Sequence, residues 1–379
     1  MLLLAPTAFL ASMAMGIISL AMIFVIKERF GASAQAVGWF SALFSTAYFL
    51  GCISLRKFAD RIGPRAAMAG MNLGTALMFG LFLVLPSMAS AFVIYFLYGF
   101  LTALFWPPLM AWVSAGLEGD KLGKATNNFS LAWSSGGALS PYIAGILLEL
   151  GLSVPIYASM GIFALTGLFV IATRRIAPTP ARAVSPSPGT GAEAPRDRST
   201  PLRYPGWLGL FLVYILLAVF FNIFPLFAKD DLHFTESKIG FLLLIRASFS
   251  ALGFWILGRY GFWHFRKRYI LLGVVLLLAL DLAFIPIRGG LAFGLALACL
   301  GLVHALCYNS SIFYGASGAV DRTRRMTINE AVLTAGQIIG SIGGGILYQD
   351  LSWGSLFIFL AVFLAGGLGF QLWLLSRRI

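Results

Sequence analysis

Charge is what this sequence has least of. Of 379 residues only 11% are Asp, Glu, Lys or Arg, against about 25% in soluble domains. A water-facing surface cannot be built from so few charges, so a soluble enzyme or soluble binding module is excluded. Acids are the scarcer sign, with 14 Asp and Glu against 27 Lys and Arg and a net charge of +13. Cysteine is nearly absent: Cys52, Cys299 and Cys307 all fall inside apolar runs. They form neither a disulfide framework nor a metal pattern and read as small packing residues. No zinc signature and no phosphate-cradling glycine loop followed by Lys is present, so neither a cofactor nor ATP-driven pumping by this chain is expected. No basic stretch precedes the apolar N-terminus, so the first run reads as a retained membrane helix rather than a signal peptide.

Apolar length is abundant instead. Residues of the AVILMFWYC set make up 59% of the chain, with 34 Phe and 42 Gly, and the mean hydropathy is +0.89. A helix needs about 20 apolar residues to cross the hydrocarbon core. Twelve runs satisfy this: 3–26, 36–56, 67–86, 90–115, 125–148, 154–173, 206–228, 238–258, 269–288, 291–317, 326–348 and 353–375. The expected fold class is an all-α membrane protein of twelve transmembrane helices in two six-helix parallel repeats. Residues 1–173 form the first bundle and 205–379 the second. Between them, 174–204 is rich in Pro, Ala, Ser, Thr and Arg without apolar periodicity, and reads as a disordered cytoplasmic linker.

The basic residues orient the chain. With both termini cytoplasmic, 21 Lys and Arg fall on the inner side and five on the outer side (Lys27, Arg29, Lys229, Lys238 and Arg288), leaving Arg246 within the membrane. That bias obeys the positive-inside rule. It explains the basic charge without nucleic acid, and it points to a multi-pass protein of a cell membrane, with a bacterial inner membrane as the expected location.

The two halves repeat at an offset of 202. Lys27-Glu28 aligns with Lys229-Asp230, Val37-Gly38 with Ile239-Gly240, Gly51 with Gly253, and 99–106 with 301–308. Toward the end of each half the offset is 200, aligning Gly145-Ile146-Leu147 with Gly345-Ile346-Leu347. Parallel duplication of six helices is an organisation of secondary transporters, with the substrate site near the midplane.

After the second run comes Asp60-Arg61-Ile62-Gly63-Pro64-Arg65. This resembles the G-x-x-x-D-R-x-G-R-R loop of the major facilitator superfamily, and with the twelve runs the resemblance covers the whole chain. It implies that Asp60, Arg61, Gly63 and Arg65 form a gating loop: Gly63 allows a tight turn, and Asp60 takes a helix N-terminus or an Arg. The family's leading Gly is replaced by Arg56, whereas its repeat mate Gly258 keeps it. The mate loop, Arg259 to Arg268, lacks the Asp. Gly137 to Gly145 on the fifth run resembles the exporter motif G-x-x-x-G-P-x-x-G-G, and reads equally as close packing through small residues. The proton-antiporter Arg expected four residues before Gly99 is Tyr95.

Polar groups inside a membrane are costly and need a reason. Arg246 lies near mid-depth in the eighth run, with Ser250 and Gly253 on its face. It reads either as an anchor for a carboxylate or phosphate or as the structural partner of Asp281 in the ninth run. Glu330, Thr334, Gln337 and Ser341 form one stripe on the eleventh run. Glu330 reads as a coupling carboxylate or as an interfacial acid beside Arg322, Arg324 and Arg325, and Asp281 is a second coupling candidate. His304 and Tyr308 share a face of the tenth run, and a histidine suits proton coupling. Asn222 and Pro225 interrupt the seventh run, as in broken transporter helices.

Repeat mates differ in kind. Phe44 matches Arg246, Tyr48 matches Ser250, Trp106 matches Tyr308 and Trp133 matches Thr334. The expected cavity has an aromatic wall (Phe44, Tyr48, Trp106, Trp133) and a polar cationic wall (Arg246, His304, Tyr308, Asn222, Gln337, Thr334). The expected function is alternating-access transport of a small amphipathic or anionic solute by a monomer in the lipid bilayer, with proton coupling open. Alternatives are proton-coupled efflux of lipophilic drugs and lipid or lysolipid flipping. An intramembrane serine protease built on Gly315-Ala316-Ser317-Gly318 is rejected, because no His follows His304 to activate the serine.

Overall fold

The structure, a computed structural model, describes residues 3–114, 119–174, 200–319 and 322–376. The linker reading therefore falls, over 175–199, outside the described residues. Among the described residues the regular elements are all helical: α1 (Leu4–Phe24, prolonged by a wider π turn, Val25–Arg29), α2 (Ala34–Ser54), α3 (Arg56–Ile62), α4 (Pro64–Val84), α5 (Met88–Thr102), α6 (Trp106–Ser114), α7 (Gly119–Leu150), α8 (Val154–Ala172), α9 (Arg203–Asn222), α10 (Phe224–Asp230), α11 (Glu236–Arg259), α12 (Lys267–Phe284), α13 (Gly290–Ala316), α14 (Arg322–Asp350) and α15 (Trp353–Ser376). Helix is the economical answer for such a sequence, since in hydrocarbon each backbone N–H and C=O must pair within its own segment.

Eleven spans among the described residues are long and apolar enough to cross a membrane. The ninth run, α12, has the shortest body, 18 residues. It carries Lys267, Arg268 and Asp281, which dilute its apolar content. Two runs are broken. The seventh divides at Ile223 into α9 and α10, with Pro225 in the first turn of α10, as the Asn222–Pro225 interruption predicts. The fourth divides at Ala103–Phe105 into α5 and α6, a break not expected from hydropathy. Pro107 and Pro108 cannot donate to the preceding turn, and their rings clash with it.

The chain forms two compact units. In the first, α1 packs on α7 and α8, and α4 on α8 and α5. In the second, α9 packs on α14, α13, α12 and α15. Each unit is thus organised around its first helix, and both α1 and α9 are buried along most of their length. The opening residues of two repeat-related helices are exchanged: Ser33–Ala42 of α2 belongs to the second unit, and Thr235–Phe241, which leads into α11, to the first. Repeat-related acceptors hold these helix starts. The backbone N–H of Ala34 donates to Gln349 Oε1 at 2.9 Å, and that of Ser237 to Glu149 Oε1 at 3.1 Å. Glu149 and Gln349 are mates at the offset of 200, so the duplication read in the sequence extends to single hydrogen bonds.

Candidate functional site

The polar groups that the second unit buries converge from α9, α11 and α13. On α11, Arg246, Ser250 and Phe254 recur every four residues, one face of the helix. At Gly301, α13 comes so close to α11 that a Cβ would lie 2.8 Å from the Ser250 amide nitrogen. Three residues on, the ring of His304 therefore meets Ser250. His304 Nδ1 and Ser250 Oγ are 3.2 Å apart, and His304 Nε2 lies 3.3 Å from Tyr214 Oη on α9. Ser250 Oγ donates to the Arg246 carbonyl at 3.1 Å. A hydroxyl has one proton, so Ser250 Oγ accepts from Nδ1–H. Phe254 and Tyr308 close the ring set, Phe254 at 5.6 Å from His304 and 5.5 Å from Tyr308.

Arg246 is only 6% exposed. Its guanidinium lies over the ring of Phe221 on α9, 4.6 Å from the centroid, a desolvated cation–π contact of about 2 kcal/mol. Its Nε has no hydrogen-bond partner, and among the described residues no carboxylate pairs with it. The Arg246–Asp281 pair is not formed. Asp281 is fully buried, but neither of its oxygens has a hydrogen-bond partner. It sits on α12, which packs against α13, α15 and α9.

The α14 stripe divides by depth. Ser341 is buried and accepts from Asn222 Nδ2 at 2.8 Å, tying the break after α9 to α14. Thr334 is 7% exposed and Gln337 half-buried. Glu330 is exposed and lies within electrostatic reach of Tyr214 and Tyr308. Tyr214, Phe221 and Phe254 were not singled out from sequence. Their signal was helical spacing from Asn222 and Arg246, but α9 is apolar almost throughout and its aromatics lack contrast.

The aromatic residues of the first unit form two sets. Trp106 meets Trp133 and Phe129, both at 6.3 Å and edge-on. Phe44 packs separately against Tyr95 and Tyr98, at 5.4 and 5.0 Å, and Tyr48 is half-buried. Of the residues read as a gating loop, Asp60 and Arg61 lie in the last turn of α3, Gly63 joins the two helices and Arg65 lies in the first turn of α4. Gly63 takes φ of 83°, a left-handed conformation that suits glycine, and Pro64 starts α4. Arg65 donates to the Val170 carbonyl and lies over the ring of Trp112 at 4.9 Å, while Asp60 and Arg61 are exposed.

No curated protein matches the chain. Among solved structures, a bacterial homologue of the human lysosomal transporter Spinster, inward-facing and occupied, is 14% identical, with a TM-score of 0.75 over 100% of this chain and 96% of that one. The nucleoside transporter NupG is 15% identical, with a TM-score of 0.71 over 100% and 99%. A POT family transporter in complex with a thioalcohol-conjugated peptide is 13% identical, with a TM-score of 0.74 over 98% and 94%. At such identities the likeness concerns fold. Family membership rests on sequence: residues 4–320 match the family model of the Major Facilitator Superfamily. The duplicated helices, the D-R-x-G turn at Gly63 and this match over most of the chain agree, and the chain belongs to the Major Facilitator Superfamily, a multi-pass membrane transporter rather than an enzyme.

Proposed function

We propose that the chain moves a small anionic, amphipathic organic solute across the membrane by alternating access, with Arg246 as the anchor for the anionic head. The observation that carries this reading is a buried guanidinium with a ring beneath it and, among the described residues, no carboxylate paired with it. A central charge costs about 2.5–3.5 kcal/mol on insertion scales. An arginine kept only for structure would recover that cost in a permanent ion pair. One held by an aromatic face keeps its fork of donors for an incoming oxyanion. His304, Tyr308, Asn222, Thr334 and Gln337 supply further polar contacts, and Tyr214 joins them. In the first unit, Trp106 and Trp133 offer an aromatic surface suited to the apolar part of such a solute. Glu330 is the coupling carboxylate of this reading, with Asp60, Arg61, Gly63 and Arg65 as its gating loop. The protein acts as a monomer, with its basic loops and both termini on the cytoplasmic side.

The test is thermal stabilisation of the purified protein by anionic and cationic amphiphiles, with Arg246→Gln in parallel. At one hundred times its Kd a ligand stabilises by about 2.7 kcal/mol. Anions should raise the melting temperature of the wild type and not that of the variant. Cations that stabilise both proteins equally would overturn the anchor and favour efflux of lipophilic drugs.

A further inference from the structure

The loop that follows α11 is the repeat mate of the gating loop, and nothing in the transport reading uses it. From Arg259 to Arg268 it reads Arg-Tyr-Gly-Phe-Trp-His-Phe-Arg-Lys-Arg, with four Arg and Lys, four Tyr, Phe or Trp, and no acid. The corresponding stretch of the first unit, from Lys57, has Asp60 and a single aromatic residue, Phe58. The two loops have diverged in chemistry.

The divergent loop is rigidly held. Trp263 is 3% exposed and donates its indole N–H to the Leu257 carbonyl at 3.0 Å. Its own carbonyl accepts from the Tyr314 hydroxyl at 3.1 Å. The His264 ring stacks on Phe313 at 4.1 Å and 9°. Phe265 follows at φ of 53°, a left-handed conformation costly for a bulky residue. Contacts with Phe313 and Tyr314, at 5.2 and 5.9 Å, hold it there. This framework presents Tyr260, Phe262 and Phe265 outward, 52%, 42% and 58% exposed, beside the exposed Arg259, Arg266 and Arg268.

We propose that the Arg259–Arg268 loop is a docking surface for anionic phospholipid headgroups, in the leaflet that faces the protein's basic loops. Aromatic rings next to charge belong at the depth where headgroups meet acyl chains. Basic side chains at that depth are attracted to anionic lipid. A soluble phosphate would satisfy the arginines but leave three rings in water, so the aromatic half of the loop selects lipid as the occupant. No acid within the loop opposes its positive charge.

The experiment is thermal unfolding of the full chain in mixed micelles of detergent with phosphatidylglycerol or with phosphatidylcholine, at low and high salt. One further arm contains soluble glycerol phosphate. Phosphatidylglycerol should raise the melting temperature by about 3 °C more than phosphatidylcholine. The difference should shrink at high salt and should at least halve in Arg266→Gln/Arg268→Gln. Phe265→Ser keeps the charge and should also weaken it. Arg56→Gln/Lys57→Gln, in the first unit, removes equal charge and should leave it intact. Equal stabilisation by both lipids, an equal shift with glycerol phosphate, or an equal loss in the Arg56/Lys57 variant would each overturn the proposal.

Discussion

The two units are copies of one plan, yet they spend the same positions differently. Where the second unit has Arg246, the first has Phe44, packed against Tyr95 and Tyr98. The first unit has Thr102 where the second has His304. The Thr102 hydroxyl donates at 2.8 Å to the Tyr98 carbonyl of its own helix, whereas the His304 ring reaches two other helices. At the same offset of 202, Asp281 corresponds to Phe79, which is fully buried and meets Tyr98 edge-on at 5.5 Å. At these positions the first unit has rings packed tilted or edge-on, although it too buries polar atoms without partners, among them Thr75 Oγ1 and Tyr98 Oη. The second places groups there that do need partners, and satisfies only some of them. On the proposed reading, polar recognition falls to the second copy, while the first adds only an aromatic surface.

The comparison breaks most visibly if Phe79 and Asp281 are exchanged. Phe79→Asp removes a ring from the Tyr98 and Phe163 cluster and buries a carboxyl in its place. The expected loss is about 4 kcal/mol or more, read as a collapse in the half-life of the solubilised protein on heating. Asp281→Leu should act in the opposite sense and stabilise by about 1–3 kcal/mol, because a carboxyl without hydrogen bonds gives way to an apolar side chain. Destabilisation by Asp281→Leu would mean that Asp281 has a partner in a working state of the transporter.

A smaller effect is expected where the polar network is reduced to its counterpart. His304→Thr places the first unit's residue in the second. It leaves the Tyr214 hydroxyl and Ser250 Oγ without their shared partner and opens a void between α9 and α11. The expected cost is about 1–3 kcal/mol. Tyr214→Phe and Ser250→Ala should be non-additive with it by about 0.5 kcal/mol or more. Strict additivity would show that the three groups do not act as one network.

The helical layout was legible from sequence because hydropathy is a long-range signal, averaged over some 20 residues. The duplication was legible at single positions, down to Gly145 and Gly345. The break at Ala103–Phe105 was not, since Trp106-Pro107-Pro108 sits in an unbroken apolar run and hydropathy cannot see a missing N–H. The buried polar groups of the second unit were legible where polarity stands against an apolar background, as at Arg246, Asp281 and His304. Tyr214 and Phe221 were not legible, because an aromatic residue among leucines looks the same whether it supports a guanidinium or fills a core. Pairing was the other gap. Arg246 and Asp281 are charges of opposite sign in consecutive spans, and nothing in spacing says that a ring on a third helix holds the arginine instead.

The smallest expected effect is the sharpest test of the comparison, because it concerns a polar group predicted to do almost nothing. Thr102 is buried like His304, and burial alone would rank the two alike. Its hydroxyl, however, is spent on a carbonyl one turn back in the same helix, which the backbone ladder already satisfies. Thr102→Val keeps the branched shape and removes only that redundant bond, so the change in stability should stay within about 0.5 kcal/mol. Ligand-induced stabilisation should be unchanged. A loss of about 1 kcal/mol or more, or a loss of ligand response, would mean that the hydroxyl reaches beyond its own helix. The first unit would then carry polar recognition chemistry too, and the assignment of that chemistry to the second copy would fail at the residue where it is easiest to check.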